Sequence, residues 1–265
     1  MSTLTLREAP PERLDLGGLH PAALAGLSET EVARLPVGTS RRGLTLGDCF
    51  KVSLDGSDEL RIVGATERLD RVGAGLGAGR IVVEGDVGQR LGAGMRGGSL
   101  TVSGSAGPFA GTAARGGTIR IAGDAAESAG GAVHGAQAGL DGATLLIGGV
   151  AGDRLGNRMR AGLIVAKRAG THAGARMIAG TIVAEEIGDH PGYGMRRGTL
   201  IAARHGALLP TFAETGRQDL VVLRLLARSL EGLSPEAAAL LRARQRRYSG
   251  DLATLGKGEL FTPAG

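Results

Sequence analysis

A strand-forming phrase recurs along this chain at a nearly constant step. Its anchors are Gly79-Arg80-Ile81, Gly98-Ser99-Leu100, Gly117-Thr118-Ile119, Ala143-Thr144-Leu145, Gly162-Leu163-Ile164, Gly180-Thr181-Ile182 and Gly198-Thr199-Leu200. Successive anchors are 19, 19, 26, 19, 18 and 18 residues apart, and a degenerate earlier unit stands at Asp58-Glu59-Leu60. A fixed period of this kind constrains the architecture before any other feature does. It is too short for a strand plus crossover helix, which takes about 30 residues. It suits one coil of a parallel solenoid whose rungs repeat every ~4.8 Å. One strand per unit has no means of burying its own face, so neighbouring units must stack.

The register assigns faces. Two residues past each anchor stand Leu60, Ile81, Leu100, Ile119, Leu145, Ile164, Ile182 and Leu200. Four past it stand Ile62, Val83, Val102, Ile121, Ile147, Ala166, Ala184 and Ala202. Alternation of this sort places both columns inward. Thr or Ser one past the anchor, at 99, 118, 144, 181 and 199, forms an outward ladder. Gly92, Gly111, Gly130 and Gly156 share one corner register, and Gly85, Gly104, Gly123 and Gly149 another. Both are expected at positive φ, where Gly costs least. Met95, Met159, Met177 and Met195 lie three before an anchor and are expected to fill core corners. Parallel crossovers are right-handed in nearly all proteins. The expectation is therefore an all-β fold: a right-handed parallel β-helix of about seven coils over residues 58–206. Residues 1–57 form a small N-terminal cap, and 207–265 a C-terminal helical extension and tail.

The third position past the anchor faces outward. It runs Arg61, Val82, Thr101, Arg120, then Leu146, Val165, Val183 and Ile201. Four adjacent aliphatics form an exposed apolar strip that a soluble monomer rarely tolerates, so something must cover it. One candidate cover is the segment Asp219–Leu230, DLVVLRLLARSL, ended by Gly232 and followed by a helix capped at Ser234-Pro235. The other is a partner chain, which makes Leu146, Val165, Val183 and Ile201 candidate interface residues.

Composition narrows the chemistry. The net charge is +5 and the cations are nearly all Arg. Such a balance suits acidic partners, whether nucleic acid, acidic subunits or polyanionic cofactors, although codon bias explains the Arg excess equally well. One cysteine, Cys49, excludes a disulfide framework or a thiolate metal cluster. The N-terminus has no secretory pattern and no run reaches membrane-span length, so the cytoplasm is expected.

Individual motifs are weak. The glycine-rich run Gly73–Gly79 precedes a strand instead of opening a helix, which is the wrong context for a phosphate loop. His172 and His190 are one rung apart, within ~5 Å of each other by solenoid spacing, with Asp189 nearby. No third metal ligand is evident, and surface histidines are the simpler reading. Glu185-Glu186 is most simply a solvated pair. No catalytic residue and no metal ligand is assigned.

The coils resemble the C-terminal domain of the glutamate synthase large chain. They are more similar to the C-type subunit of formylmethanofuran dehydrogenase and of the bacterial formyltransferase/hydrolase complex. The flanks carry the closer likeness: LSETEVARLPV (27–37) and LGDCFKV (46–52) resemble that family's N-terminal cap, and YSGDLATLGKGELF (248–261) its C-terminal signature. The resemblance covers almost the whole chain. It implies a non-catalytic β-helical scaffold in a hetero-oligomer with three other kinds of chain: an amidohydrolase-like A-type subunit, a B-type subunit and a formyltransferase of the D type. It implies no nucleic acid or membrane partner. In the bacterial complex, formyl passes from tetrahydromethanopterin to a furan cofactor (methanofuran or methylofuran) and is hydrolysed to formate. The archaeal alternative is a molybdenum or tungsten dehydrogenase, and the third reading is a glutamate-synthase-type linker. The Arg- and Ala-rich composition favours the bacterial complex. Furan cofactors of this family carry glutamyl tails, so Arg96, Arg115, Arg160 and Arg196, which share a register just after the Met column, are the candidates for guiding such a tail. The insertion at 130–139 is a candidate contact loop.

Overall fold

The computed structural model describes residues 1–218 and 220–264. An N-terminal segment holds β1 (Ser2–Leu6), β2 (Leu14–Asp15), α1 (Pro21–Leu24), α2 (Glu29–Ala33), α3 (Leu46–Cys49) and β3 (Phe50–Ser53). The repeating part supplies β4 (Glu59–Ala65), β5 (Leu69–Asp70), β6 (Arg80–Gly85), β7 (Arg96–Val102), β8 (Gly116–Ile121), β9 (Asp141–Ala151), β10 (Ala161–Ala169), β11 (Thr181–Ile187) and β12 (Arg197–His205). The chain ends with β13 (Ala213–Gln218), α4 (Val221–Leu230), α5 (Pro235–Arg242), β14 (Gln245–Gly250) and β15 (Lys257–Pro263).

Among the described residues thirteen of these strands make one sheet, in the order β13-β14-β15-β12-β11-β10-β9-β8-β7-β6-β4-β1-β3, while β2 and β5 pair with each other in a separate parallel two-stranded sheet. Pairing is parallel from β1 through β15 and antiparallel only at the two ends. The register follows the repeat. Leu60, Ile81, Leu100, Ile119, Leu145, Ile164, Ile182 and Leu200 are aligned partner by partner, and each is 0% exposed. Val87, Ala106 and Ala125, which lie outside the strands, make a second row of parallel bridges that ends on Ala151, the last residue of β9. The turns stack as well: the amides of Gly92, Gly111, Gly130, Gly156, Gly174 and Gly192 donate to carbonyls one unit back, at 2.6 to 2.8 Å. All four repeat methionines are buried.

Glycine serves two purposes here. Gly92, Gly111, Gly130 and Gly156 have φ between 60° and 73°. Of the second corner register only Gly85 has positive φ. Gly104, Gly123 and Gly149 are glycine for lack of room: a Cβ on Gly123 would sit 2.9 Å from the carbonyl of Gly104 in the preceding unit.

The terminal segments are more β-rich than the sequence predicts. Beyond residue 206 the described residues add three strands as well as two helices. β15 extends the parallel sheet, with Leu260 opposite Leu200 and Phe261 opposite Ile201. At the other end β1 and β3 join the sheet. Local signals start the short helices: Ser28 and Glu31 form a reciprocal capping box on α2.

Asp70 ties this end together. It is 6% exposed and accepts from Arg13, from the Gln89 amide at 3.0 Å and from the Gln89 side chain at 3.1 Å. Burial pushes its carboxyl up, but the bonds from Arg13 and Gln89 outweigh that and hold it below its ordinary value. A carboxylate depressed in the folded state stabilises fully above its unfolded pKa of about 3.9, and that contribution is lost as pH falls through the lower folded value. Asp70→Asn is expected to cost about 2 kcal/mol at neutral pH. Urea melts should show the difference from wild type shrinking below about pH 4. A constant difference down to the acid limit would refute this role for the charge.

Candidate functional site

The apolar strip has a cover. Leu146, Val165, Val183 and Ile201 are 4, 6, 0 and 0% exposed. They cluster with Leu223, Ala227 and Leu230 of α4, with Ala237, Ala238 and Leu241 of α5, and with Phe261. Burial of each aliphatic contributes about 1.5–3 kcal/mol. Helix α5 starts as its sequence suggests, with Ser234 Oγ accepting from the Ala237 amide at 3.3 Å. Asp219, at the start of the candidate covering segment, lies outside the described residues. The outer side of α4 leaves Val221, Val222 and Leu225 about 60% exposed, so a partner meeting this face meets these side chains.

Arg96, Arg115, Arg160 and Arg196 are exposed, and none has an ion-pair partner among the described residues. They do share one edge register, yet not as an unbroken file. The backbone bonds of successive units put Asp141 between Arg115 and Arg160, and Ile178 between Arg160 and Arg196. Arg96 and Arg115 are the adjacent pair.

His172 and His190 stand side by side, ring centroids 5.4 Å apart at 44°. Tyr193 packs edge-on to His172 at 5.9 Å. Asp189 is occupied elsewhere, its Oδ1 accepting from the Ala207 amide at 2.7 Å. Among the described residues no three of His, Cys, Asp and Glu gather at one point.

Asp189 belongs to a file of carboxylates that the spacing argument missed. Asp86 accepts from the Ser105 amide at 2.7 Å, Asp124 from Val150 at 2.7 Å and Asp153 from Thr171 at 2.8 Å. Each reaches the backbone of the following unit at a corner. A recurring Gly-Asp (85–86, 123–124, 152–153) is the signal that could have found them. Glu186 pairs with Arg204 at 3.1 Å, while Glu185 is exposed beside Lys167 and Glu236 in a recess of about 340 Å³ under α5. The run Gly73–Gly79 is a stacked turn leading into β6, with the Gly75 amide donating to Ala93 at 2.8 Å. Cys49 is buried, and burial with nearby Asp48 pushes its thiol above the ordinary value. No helix among the described residues is long and apolar enough to cross a membrane.

No protein-family model matches the chain. It is 68% identical to the C-type subunit of the formyltransferase/hydrolase complex Fhc of Methylorubrum extorquens, over 265 residues and 100% of both chains. It is also similar to a chain in the X-ray crystal structure of the formyltransferase/hydrolase complex (FhcABCD) from Methylorubrum extorquens in complex with methylofuran. There the TM-score is 0.97 at 67% identity, covering 99% of this chain and 100% of that one.

Proposed function

This chain belongs to the family of C-type subunits of the formyltransferase/hydrolase complex, and we propose that it is the non-catalytic scaffold of such a complex. The complex moves a formyl group from formyl-tetrahydromethanopterin to a furan cofactor and hydrolyses it to formate. The observation that carries the reading is identity of 68% along the whole of both chains. Further support comes from the corner carboxylates, which are spent on backbone amides of the next unit.

In this reading residues 58–206 wind as a right-handed parallel β-helix, capped by 1–57 and extended by 207–265. Near-constant steps, parallel pairing in register and a second row of bridges favour the winding. The hand follows the general rule for parallel crossovers. The same coil relates it to the C-type subunit of formylmethanofuran dehydrogenase and to the glutamate synthase domain. Its partners are the amidohydrolase-like A-type subunit, the B-type subunit and the formyltransferase of the D type, in the cytoplasm. The exposed Val221, Val222 and Leu225 on α4 supply an apolar contact for one of them, outside the covered strip. Arg96, Arg115, Arg160 and Arg196 guide the acidic tail of the furan cofactor, with the adjacent Arg96 and Arg115, which have no ion-pair partner among the described residues, contributing most.

Native purification tests the assignment. The chain should come down with the three other subunits, without molybdenum or tungsten, and show no transferase or hydrolase activity alone. Activity in the isolated chain would sink the scaffold reading. Val222→Asp with Leu225→Asp should weaken assembly at least tenfold while leaving the melting temperature of the chain within about 2 °C. Arg96→Ser with Arg115→Ser should slow turnover of the intact complex, with the defect masked at high salt. Wild-type turnover at every salt concentration would remove those arginines from cofactor handling.

A further inference from the structure

Six turns of the repeat carry residues of positive φ in pairs four apart: Arg71 and Gly75, Arg90 and Gly94, Phe109 and Ala113, Arg154 and Arg158, His172 and Arg176, His190 and Gly194; the turn at Ser128 (φ 58°) has the first member alone. The second member is Gly in three turns, where the conformation is cheap. In two consecutive turns it is Arg, at φ of 58° and 54°. A non-glycine residue is uncommon and strained there, and here two such positions put a guanidinium on adjoining turns.

These turns floor a groove made of two adjoining recesses, of about 240 and 460 Å³. Arg154, Asn157 and Arg176 line both. The insertion at 130–139 forms one wall: the Gly139 amide donates to the Arg158 carbonyl at 3.0 Å, and His134 packs edge-on to Phe109 at 5.6 Å. His172 and Tyr193 close the other end. Two acids oppose the cations. Glu127 pairs with Arg154 at 2.7 Å, and Asp153 accepts from the Thr171 amide. That leaves two guanidiniums uncompensated: Arg158 bonds the neutral Gln137 at 3.0 Å, and Arg176 has no ion-pair partner among the described residues. They occupy successive rungs, about 4.8 Å apart.

We infer that this groove is a binding site for an extended oligoanion, a chain of carboxylates or phosphates whose charges bridge Arg158 and Arg176. Guanidinium forks match either oxyanion. The inference rests on the groove alone and is independent of membership in a complex.

Isothermal titration of the full isolated chain with oligo-L-glutamate, and separately with linear polyphosphate of similar charge, tests it. Wild type should bind at least one probe, more weakly as salt rises. Arg158→Gly with Arg176→Gly should lower that affinity about tenfold or more. Because Gly suits both backbone positions, the double variant should melt within about 2 °C of wild type. Binding of oligoglutamate alone assigns a carboxylate ligand, and polyphosphate alone a phosphate ligand. Failure of wild type to bind either probe, or equal binding by the double variant, overturns the site. Failure of the scaffold reading would leave all of these outcomes unchanged.

Discussion

Val183→Asp should strip α4 and α5 from the sheet. Val183 is 0% exposed, in the middle of the strip and in the same apolar cluster as residues of both helices. An isolated carboxylate there has no partner, and burying it costs several kcal/mol. The loss of the valine's own burial adds about 1.5–2 kcal/mol. The sum, roughly 5 kcal/mol, opposes the burial that docks two short helices, and helices of this length are marginal once undocked. The main core of the sheet forms a separate cluster on the opposite side of these strands, so it should survive. Limited proteolysis should therefore cut within residues 221–242 first, while the far-ultraviolet β signal melts near the wild-type temperature. Val183→Thr, nearly the same shape, should cost about 1–2 kcal/mol and keep the helices protected. Equal protease resistance in the Asp variant would mean that α4 and α5 do not hold the strip.

Gly117→Ala and Gly94→Ala separate the two reasons for glycine. Gly117 has φ of 81°, and a Cβ on it would lie 2.6 Å from the Gly98 carbonyl oxygen and 2.7 Å from the Gly97 carbonyl carbon. Those atoms belong to the preceding unit's backbone, which is fixed by its own ladder. Neither side yields without breaking rung-to-rung bonds, so the cost should reach about 3 kcal/mol or more. Gly94 has a similar φ of 65° but nothing within 4 Å of a new Cβ. Its replacement should cost only the backbone term, about 1 kcal/mol. Chemical denaturation of both variants checks the order. Equal losses would show that backbone conformation alone governs these positions.

Several features were legible because they are written in residue type at a fixed register. The inward columns needed only period-two burial, and every one of their large members is buried. The need for a cover on the strip was legible too, since four outward aliphatics contradict a solvent face. Other signals are present but harder to see. Asp141 and Ile178 stand at the same offset as the four arginines, so the breaks in that file are visible in the chain itself. Lys257-Gly258-Glu259-Leu260-Phe261 repeats the pattern of Arg197-Gly198-Thr199-Leu200-Ile201. It escapes the repeat because α4, α5 and an antiparallel excursion intervene. A search by fixed step does not find a strand that returns after so long a detour.

What the sequence determined by itself was register: which residues face inward, how far apart the units stand, and that an outward apolar strip must be covered. Burial acts on side-chain type, and side-chain type is what a sequence spells. What only the tertiary structure decided was the occupant of that strip and the sign of φ at the turns. Two apolar candidates for a cover look alike until one is seen packed, because the hydrophobic effect has no direction. A left-handed Arg158 or Arg176 looks like any exposed arginine, because the bonds that hold it there run to Ala175 and Tyr193 on the next unit.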